Sequence, residues 1–296
     1  MTNTHTTLSC VKQGGSGPEA GLDLCQKVLT LHRKRLGADG YQSDRCAPNL
    51  VLMQVSELGG PRTREDCQVG SASYERSKAA LLTTIRQLLP LVEVFCVACN
   101  TLHIFEPHIV EFLQSLGHNP HHTFVSMVTA TTTVCQEYLR QHPFGTRNKL
   151  AIFGGPGTMD LDSDGTSPYR RLVQELVGGD GGKDDEDGIV LYRPSVSVVE
   201  TLRTIIWQIK HDGTPNEESQ VAYARLLRDE MADNTVGLCV LACTELPLLV
   251  TCPANNKNEE DTTTLPSSHI HFIDPTIAVA NALLTATQIY PREIWM

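Results

Sequence analysis

The chain has 296 residues, with 24 Lys plus Arg against 34 Asp plus Glu and a formal charge of −10 at pH 7, so it is long enough for two cores and carries no basic stripe. Nucleic acid and anionic membrane surfaces are excluded as natural partners, whereas a small acidic ligand is not, because a site needs only one or two local cations. No apolar run nears the roughly 18 to 20 residues that span a bilayer, and "MTNTHTTLSCVKQ" lacks a signal peptide's charged start and apolar stretch, so a soluble, cytoplasmic chain is expected.

In chain order, "LSCVKQGGSGPEA" reads as a strand running into a glycine-rich turn, and "NLVLMQV" (49–55) as a second strand. "SYERSKAALLTTIRQLLP" carries apolar residues at helical spacing, and "EVFCVAC" (93–99) returns to an apolar strand. "TFVSMV" (123–128) is read as a strand, "TTTVCQEYLRQ" as a helix, "KLAIFG" (149–154) and "GIVLYR" (188–193) as strands. Two helices follow, "VVETLRTIIWQIKH" and "ESQVAYARLLRDEMAD", then the strands "GLCVLAC" and "IHFID" (270–274). Strands alternating with helices predict parallel sheets with crossover helices, an α/β fold. The polar segments 178–188 and 252–268 break the pattern and are expected to be surface loops.

Ten cysteines would suit a disulfide framework in a short secreted chain, and this chain is not short and is not expected to be secreted, so thiols are expected. Cys96 and Cys99 form a CxxC, but side chains alternate along a strand and an odd separation sends the two to opposite faces. No second CxxC completes a four-cysteine site. The spacing of His103, His108 and the "GHNPHH" group (His118, His121, His122) matches no usual zinc pattern, so no metal is expected. A strand-end cysteine is ordinarily a small buried hydrophobe, and Cys10, Cys25, Cys46, Cys67, Cys96, Cys135, Cys239 and Cys252 are read that way. Cys99 and Cys243 differ because their contexts match: each ends an apolar strand and is followed by a polar segment containing threonine. They lie 144 positions apart, and the two strand-to-Gly-Gly-x-Gly segments at Gly14 and Gly154 lie 140 apart. Near-equal offsets for two unrelated features imply a duplicated unit. Ligands of parallel sheets bind beyond the carboxyl ends of strands, so two facing copies would bring both thiols into one cleft.

Two thiols on opposite walls of a cleft suit the removal of a proton from one face of a carbon and its return to the other, with thiolate as base and thiol as acid. This is racemisation without a cofactor. Asn100 and the threonines after each cysteine would begin helices or loops whose free N–H groups and dipole favour a substrate carboxylate and lower a neighbouring thiol's pKa.

The segments "GGSGPEA", "ACNTLH", "ACTELP" and "IDPT", in this order and spacing, resemble the aspartate/glutamate racemase family, within it the aspartate racemase branch, from about Gly14 to Ala280. The resemblance implies two similar α/β domains, each a mostly parallel sheet flanked by helices, related by a pseudo-twofold axis with the active site in the cleft between them. The expected division is 1–119 plus 275–296 for the domain carrying Cys99, and 120–274 for the one carrying Cys243. It further implies catalysis by Cys99 and Cys243, no pyridoxal phosphate, and a homodimer. Asn100, Thr101, Thr158 and Thr244 match positions that hold the substrate's α-carboxylate and amino group, and Ser16 belongs to the first glycine-rich segment, where methionine is frequent. Arg62 in "GGPRT" and Lys210 in "IIWQIKHDG" match cations that meet the side-chain carboxylate. Pro61 replaces the family's aspartate before Arg62, and Ala242 stands where glycine is usual. His103 is open between a structural hydrogen-bonding role and a catalytic one, four residues past Cys99. The function expected is interconversion of L- and D-aspartate, with glutamate as the neighbouring substrate. The alternatives are a cysteine-dependent isomerase related to maleate isomerase or arylmalonate decarboxylase, and a non-catalytic sensor of acidic amino acids.

Overall fold

The structure, a computed structural model, describes residues 7–13, 19–59, 67–142, 148–161, 167–177, 189–231, 236–251 and 270–287. Among the described residues, eight strands form two sheets. The first contains β1 (Thr7–Gln13), β2 (Asn49–Val55), β3 (Val94–Val97) and β4 (Phe124–Val125); the second contains β5 (Lys149–Gly154), β6 (Val190–Leu191), β7 (Val236–Ala242) and β8 (His271–Ile273). The helices in chain order are α1 (Glu19–Gly40), α2 (Ala72–Leu88), α3 (Glu106–Ser115), α4 (Pro120–Thr123), α5 (Met127–Gln141), α6 (Pro156–Met159), α7 (Arg170–Val177), α8 (Val196–Asp212), α9 (Glu217–Leu226), α10 (Leu246–Thr251) and α11 (Pro275–Ala286).

All strand pairings are parallel, and the orders are β2-β1-β3-β4 and β6-β5-β7-β8, the same order twice. The α/β fold expected from alternating strands and helices is the fold observed. β3 and β7 occupy the same place in their sheets, flanked on both sides and covered on both faces. That is why they read as unbroken apolar runs rather than as alternating ones. In β3 and the two residues after it, Phe95, Val97 and Cys99 pack with α2 and α3, while Val94, Cys96 and Ala98 pack with α1, α5 and α11, so Cys96 and Cys99 do face opposite ways. In β7 a register shift opposite Lys149 and Leu150 leaves Gly237 as an extra residue, a bulge that resets the alternation. Beyond it Cys239, Leu241 and Cys243 share the face covered by α8 and α9.

Two sequence expectations change, and some placements go beyond the sequence reading. The apolar run 123–128 is strand only at Phe124–Val125, because Ser126 accepts a hydrogen bond from the Thr129 N–H and caps α5 two residues later. The run 188–193 pairs with β5 only through Val190–Leu191. Helices α1 and α11 form in segments not assigned from the sequence. α11 follows β8 of the second sheet yet packs on α1, α5 and β3 of the first half, tied there by Lys27, which sits 2.6 Å from both Asp23 and Asp274. β4 lies past residue 119 and still completes the first sheet. Among the described residues, no helix is long and apolar enough to cross a membrane.

Candidate active site

The carboxyl ends of β3, β5 and β7 carry the residues that the sequence singled out. Cys99 follows β3 after Ala98 and is buried; a 3-10 turn, Thr101–Phe105, begins at once and runs into α3. Cys243 directly follows β7 and is half-buried. The two thiols belong to equivalent strands of the two sheets and lie close enough for charge on Cys99 to act on Cys243.

Side chains of the two halves meet at this point. Thr101 Oγ1, from the first half, and Thr158 Oγ1, from α6 in the second, are 3.1 Å apart. The hydroxyl of Tyr169, just ahead of α7, donates to Asn100 Oδ1 at 2.5 Å. Gly157 permits the close approach of the two halves, and Gly154 permits that of β5 and β7 within the second. A Cβ on Gly154 would stand 2.7 Å from the Ala242 carbonyl oxygen, and one on Gly157 would stand 2.6 Å from Cys67 Sγ. Gly157 lets α6 lie against Cys67 and the Thr101 methyl, which brings Thr158 to Thr101.

On the Cys243 side the centre is a carboxylate. Cys243 Sγ donates to Glu245 Oε2 at 2.8 Å, Thr244 Oγ1 reaches the same oxygen at 3.2 Å, and Lys210 Nζ stands 3.8 Å from Glu245 Oε1. Burial pushes the Cys243 thiol well above its ordinary pKa, the Glu245 charge pushes it further, and Lys210 pulls it back in part. Cys243 is therefore a thiol at neutral pH, a proton donor hydrogen-bonded to a carboxylate. Lys210 comes from the last turn of α8, which ends at Gly213 in the left-handed conformation (φ 76°). Its charge is already matched to Glu245.

His103 is tied down on both sides. Its Nε2 accepts the Met127 N–H at 3.0 Å, so the ring proton sits on Nδ1 and is donated to the Cys99 carbonyl at 2.9 Å. Burial lowers its pKa, keeping the ring neutral. Both ring nitrogens are engaged with backbone, so His103 clamps the end of β3 to the start of α5, the structural of its two expected roles.

The structure thus assembles Cys99, Asn100, Thr101, Thr158, Thr244, Cys243 and Lys210 around the strand ends. Ser16 and Arg62, with the glycine-rich segment 14–17 and the polar segments 178–188 and 252–268, lie outside the described residues. Sequence reasoning passed over Glu245, Tyr169 and the Cys67–Gly157 contact. Glu245 had a signal, as the acid in "ACTELP" two residues after a strand-end thiol. Tyr169 had none, since it meets Asn100 across 69 positions of chain. Among the described residues no group of three His, Cys, Asp or Glu side chains is arranged to hold a metal ion. A concavity of about 710 Å³ between α8 and α9, lined by Val198, Val221, Leu226 and the charged Glu217, Glu218 and Arg225, contains neither thiol and no residue of the strand ends.

Two solved structures share the fold over nearly the whole chain. One is an aspartate racemase homologue from Pyrococcus horikoshii, with TM-score 0.58 and 18% identity over 95% of this chain and 99% of that one. The other is a candidate Asp/Glu racemase from Yersinia pestis, with TM-score 0.60 and 18% identity over 95% and 99%. At that identity the likeness establishes the fold. No protein-family model matches the chain, and no curated protein does.

Proposed function

We propose that this chain is a cofactor-independent amino-acid racemase of the aspartate/glutamate type, interconverting L- and D-aspartate with two cysteines as acid and base. The observation that carries the reading is the pair of thiols, Cys99 and Cys243, ending the same strand of two identically ordered parallel sheets within electrostatic reach of each other. The reading treats the two sheets with their helices as pseudo-twofold-related units, with α11 completing the unit that carries Cys99.

Substrate held between the thiols presents one face of Cα to each. A thiolate removes the Cα proton, the electron pair spreads into the adjacent carboxylate, and the opposite thiol returns a proton to the other face. Cys243, a thiol donating to Glu245, is the acid in one direction; in the reverse direction its proton must already have left. Asn100, Thr101, Thr158 and Thr244 supply side-chain donors for the α-carboxylate and acceptors for the amino group, and such donors favour the charge that gathers on the carboxylate as the Cα–H bond breaks. Lys210, beside Glu245, supplies a cation on the Cys243 side. Arg62 is the second cation that a dicarboxylate substrate calls for, and Ser16 a further contact. The reading includes a cytoplasmic homodimer that needs neither pyridoxal phosphate nor metal.

The test is incubation with L-aspartate, and separately L-glutamate, in D₂O, followed by proton NMR at Cα and chiral chromatography. The expected result is deuterium at Cα and a mixture tending to equal enantiomers, faster with aspartate. Binding without Cα exchange would leave an amino-acid sensor, and faster turnover of a neutral amino acid would remove the acidic specificity.

A further inference from the structure

Asn100 adjoins Cys99 and is only 3% exposed. Its Oδ1 accepts from the Tyr169 hydroxyl, while its Nδ2 finds no hydrogen-bond partner among the described residues. Buried polar atoms in folded proteins are paired almost without exception, because an unmatched donor loses its hydration and gains nothing. A donor kept in that state beside a strand-end thiol fits a ligand that completes it, and the complement of an amide N–H₂ is an anionic oxygen.

An asparagine side chain presents a donor at one end and an acceptor at the other, and something must decide which end meets the ligand. Tyr169 makes that choice. Its ring is fully buried in the core beneath α5 and α7 with Val128, Cys135 and Leu172, so the hydroxyl has a fixed position. Burial also pushes the phenol pKa up, so the group stays protonated and remains able to donate. A donor at Oδ1 leaves Nδ2 as the other end.

We infer that Tyr169 is a positioning residue for ligand binding: its hydroxyl, held by the second half of the chain, fixes the Asn100 amide so that Nδ2 is the available donor for a ligand carboxylate beside Cys99. The inference deepens the proposed function and rests on it for the identity of the carboxylate. It adds an orientation device that spans the two halves, because Asn100 follows β3 and Tyr169 leads into α7.

The test combines calorimetric titration with L-aspartate and with succinate and steady-state racemisation of L-aspartate, on wild type, Tyr169→Phe, Asn100→Ala and the double variant. Tyr169→Phe keeps the ring, and circular dichroism melting verifies its fold. Carboxylate affinity in Tyr169→Phe is expected to fall about tenfold, with KM rising alike and kcat within about threefold. In the Asn100→Ala background the same substitution is expected to change affinity by less than about twofold, since the group it orients is gone. Equal losses in both backgrounds, or an unchanged affinity in Tyr169→Phe, would overturn the inference. Asn100→Asp is the second variant: it keeps an oxygen for Tyr169 and replaces the donor by an acceptor, so affinity is expected to fall at least about thirtyfold. Wild-type affinity in Asn100→Asp overturns the inference as well. If wild type binds the carboxylates without exchanging Cα hydrogen, racemisation falls while the binding cycle still decides the role of Tyr169. If wild type binds neither, the inference is overturned.

Discussion

Gly157→Ala places a methyl group at a close contact between the two halves. Its Cβ would stand 2.6 Å from Cys67 Sγ, about 0.8 Å short of the 3.4 Å at which ordinary contact begins, with the Thr101 methyl at 3.5 Å and Cys67 Cβ at 3.7 Å. Cys67 is buried and cannot swing into solvent, so either the thiol or α6 must yield. Overpacking of this kind costs about 1 to 3 kcal/mol, which lowers Tm by about 2 to 5 °C in a chain of this size. The same displacement moves Thr158, the next residue, away from Thr101, and a misplacement near 1 Å at a reacting centre costs about a hundredfold in kcat/KM. Differential scanning calorimetry and racemisation kinetics measure the two effects separately. Cys67→Ala removes the sulfur and leaves the ordinary contacts at 3.5 and 3.7 Å, so Cys67→Ala/Gly157→Ala should recover at least half of both losses. A Gly157→Ala protein with wild-type Tm and kcat/KM, or a loss that Cys67→Ala does not relieve, would refute the packing argument.

Cys99→Ser and Cys243→Ser should each abolish Cα exchange in D₂O while aspartate binding stays within about tenfold, because a hydroxyl fills similar space and is far too weak an acid; near-normal turnover in either variant ends the two-base assignment. Glu245→Gln removes a charge that holds the Cys243 proton, so the alkaline limb of the kcat/KM profile should move to lower pH, and an unmoved limb would disconnect Glu245 from the thiol. The folded protein holds that proton more tightly than the unfolded chain. Stability from this source is therefore complete below about pH 8.5 and declines as pH rises toward the folded pKa; Glu245→Gln should flatten the decline in a series of melts. His103→Ala should cost about 2 to 4 kcal/mol, since it strands the Met127 N–H and the Cys99 carbonyl, and added imidazole should not alter the pH profile; restoration of turnover by imidazole would make His103 a catalyst.

The fold was legible wherever burial left a local trace. β3 and β7 are covered on both faces, so their apolar runs announce strands in a parallel sheet, and each ends at its cysteine. α11 left less trace, because it lies between α1, α5 and the first sheet and is apolar nearly all round, with no polar stripe to mark a helical period. "FVSMV" was ambiguous for a related reason: a short apolar run fits strand or buried helix, and only the capping geometry of Ser126 divides it. At the site, the two cysteines and their polar neighbours are contiguous motifs and could be read directly. Tyr169 against Asn100 and Cys67 against Gly157 are products of tertiary packing between the halves, and no spacing rule encodes them.

The duplicated architecture delivers two thiols to equivalent positions but not to equivalent surroundings. Cys243 donates to a buried carboxylate that a lysine balances, whereas the strand end carrying Cys99 is clamped through its carbonyl by a neutral histidine. For a racemase this asymmetry has a thermodynamic bound. Enantiomers have equal free energies in water, so the ratio of kcat/KM in the two directions must be one whatever the residues do. The carboxylate beside Cys243 favours the form in which that thiol is protonated, and in this form Cys243 can act as acid toward one enantiomer but not as base toward the other. The other enantiomer needs the less populated form. Because the ratio is fixed, the difference can appear only as a split between kcat and KM: the two enantiomers differ in kcat and in KM by the same factor. Weakening the bias at Glu245 should draw the two pairs of constants together while leaving their ratio at one.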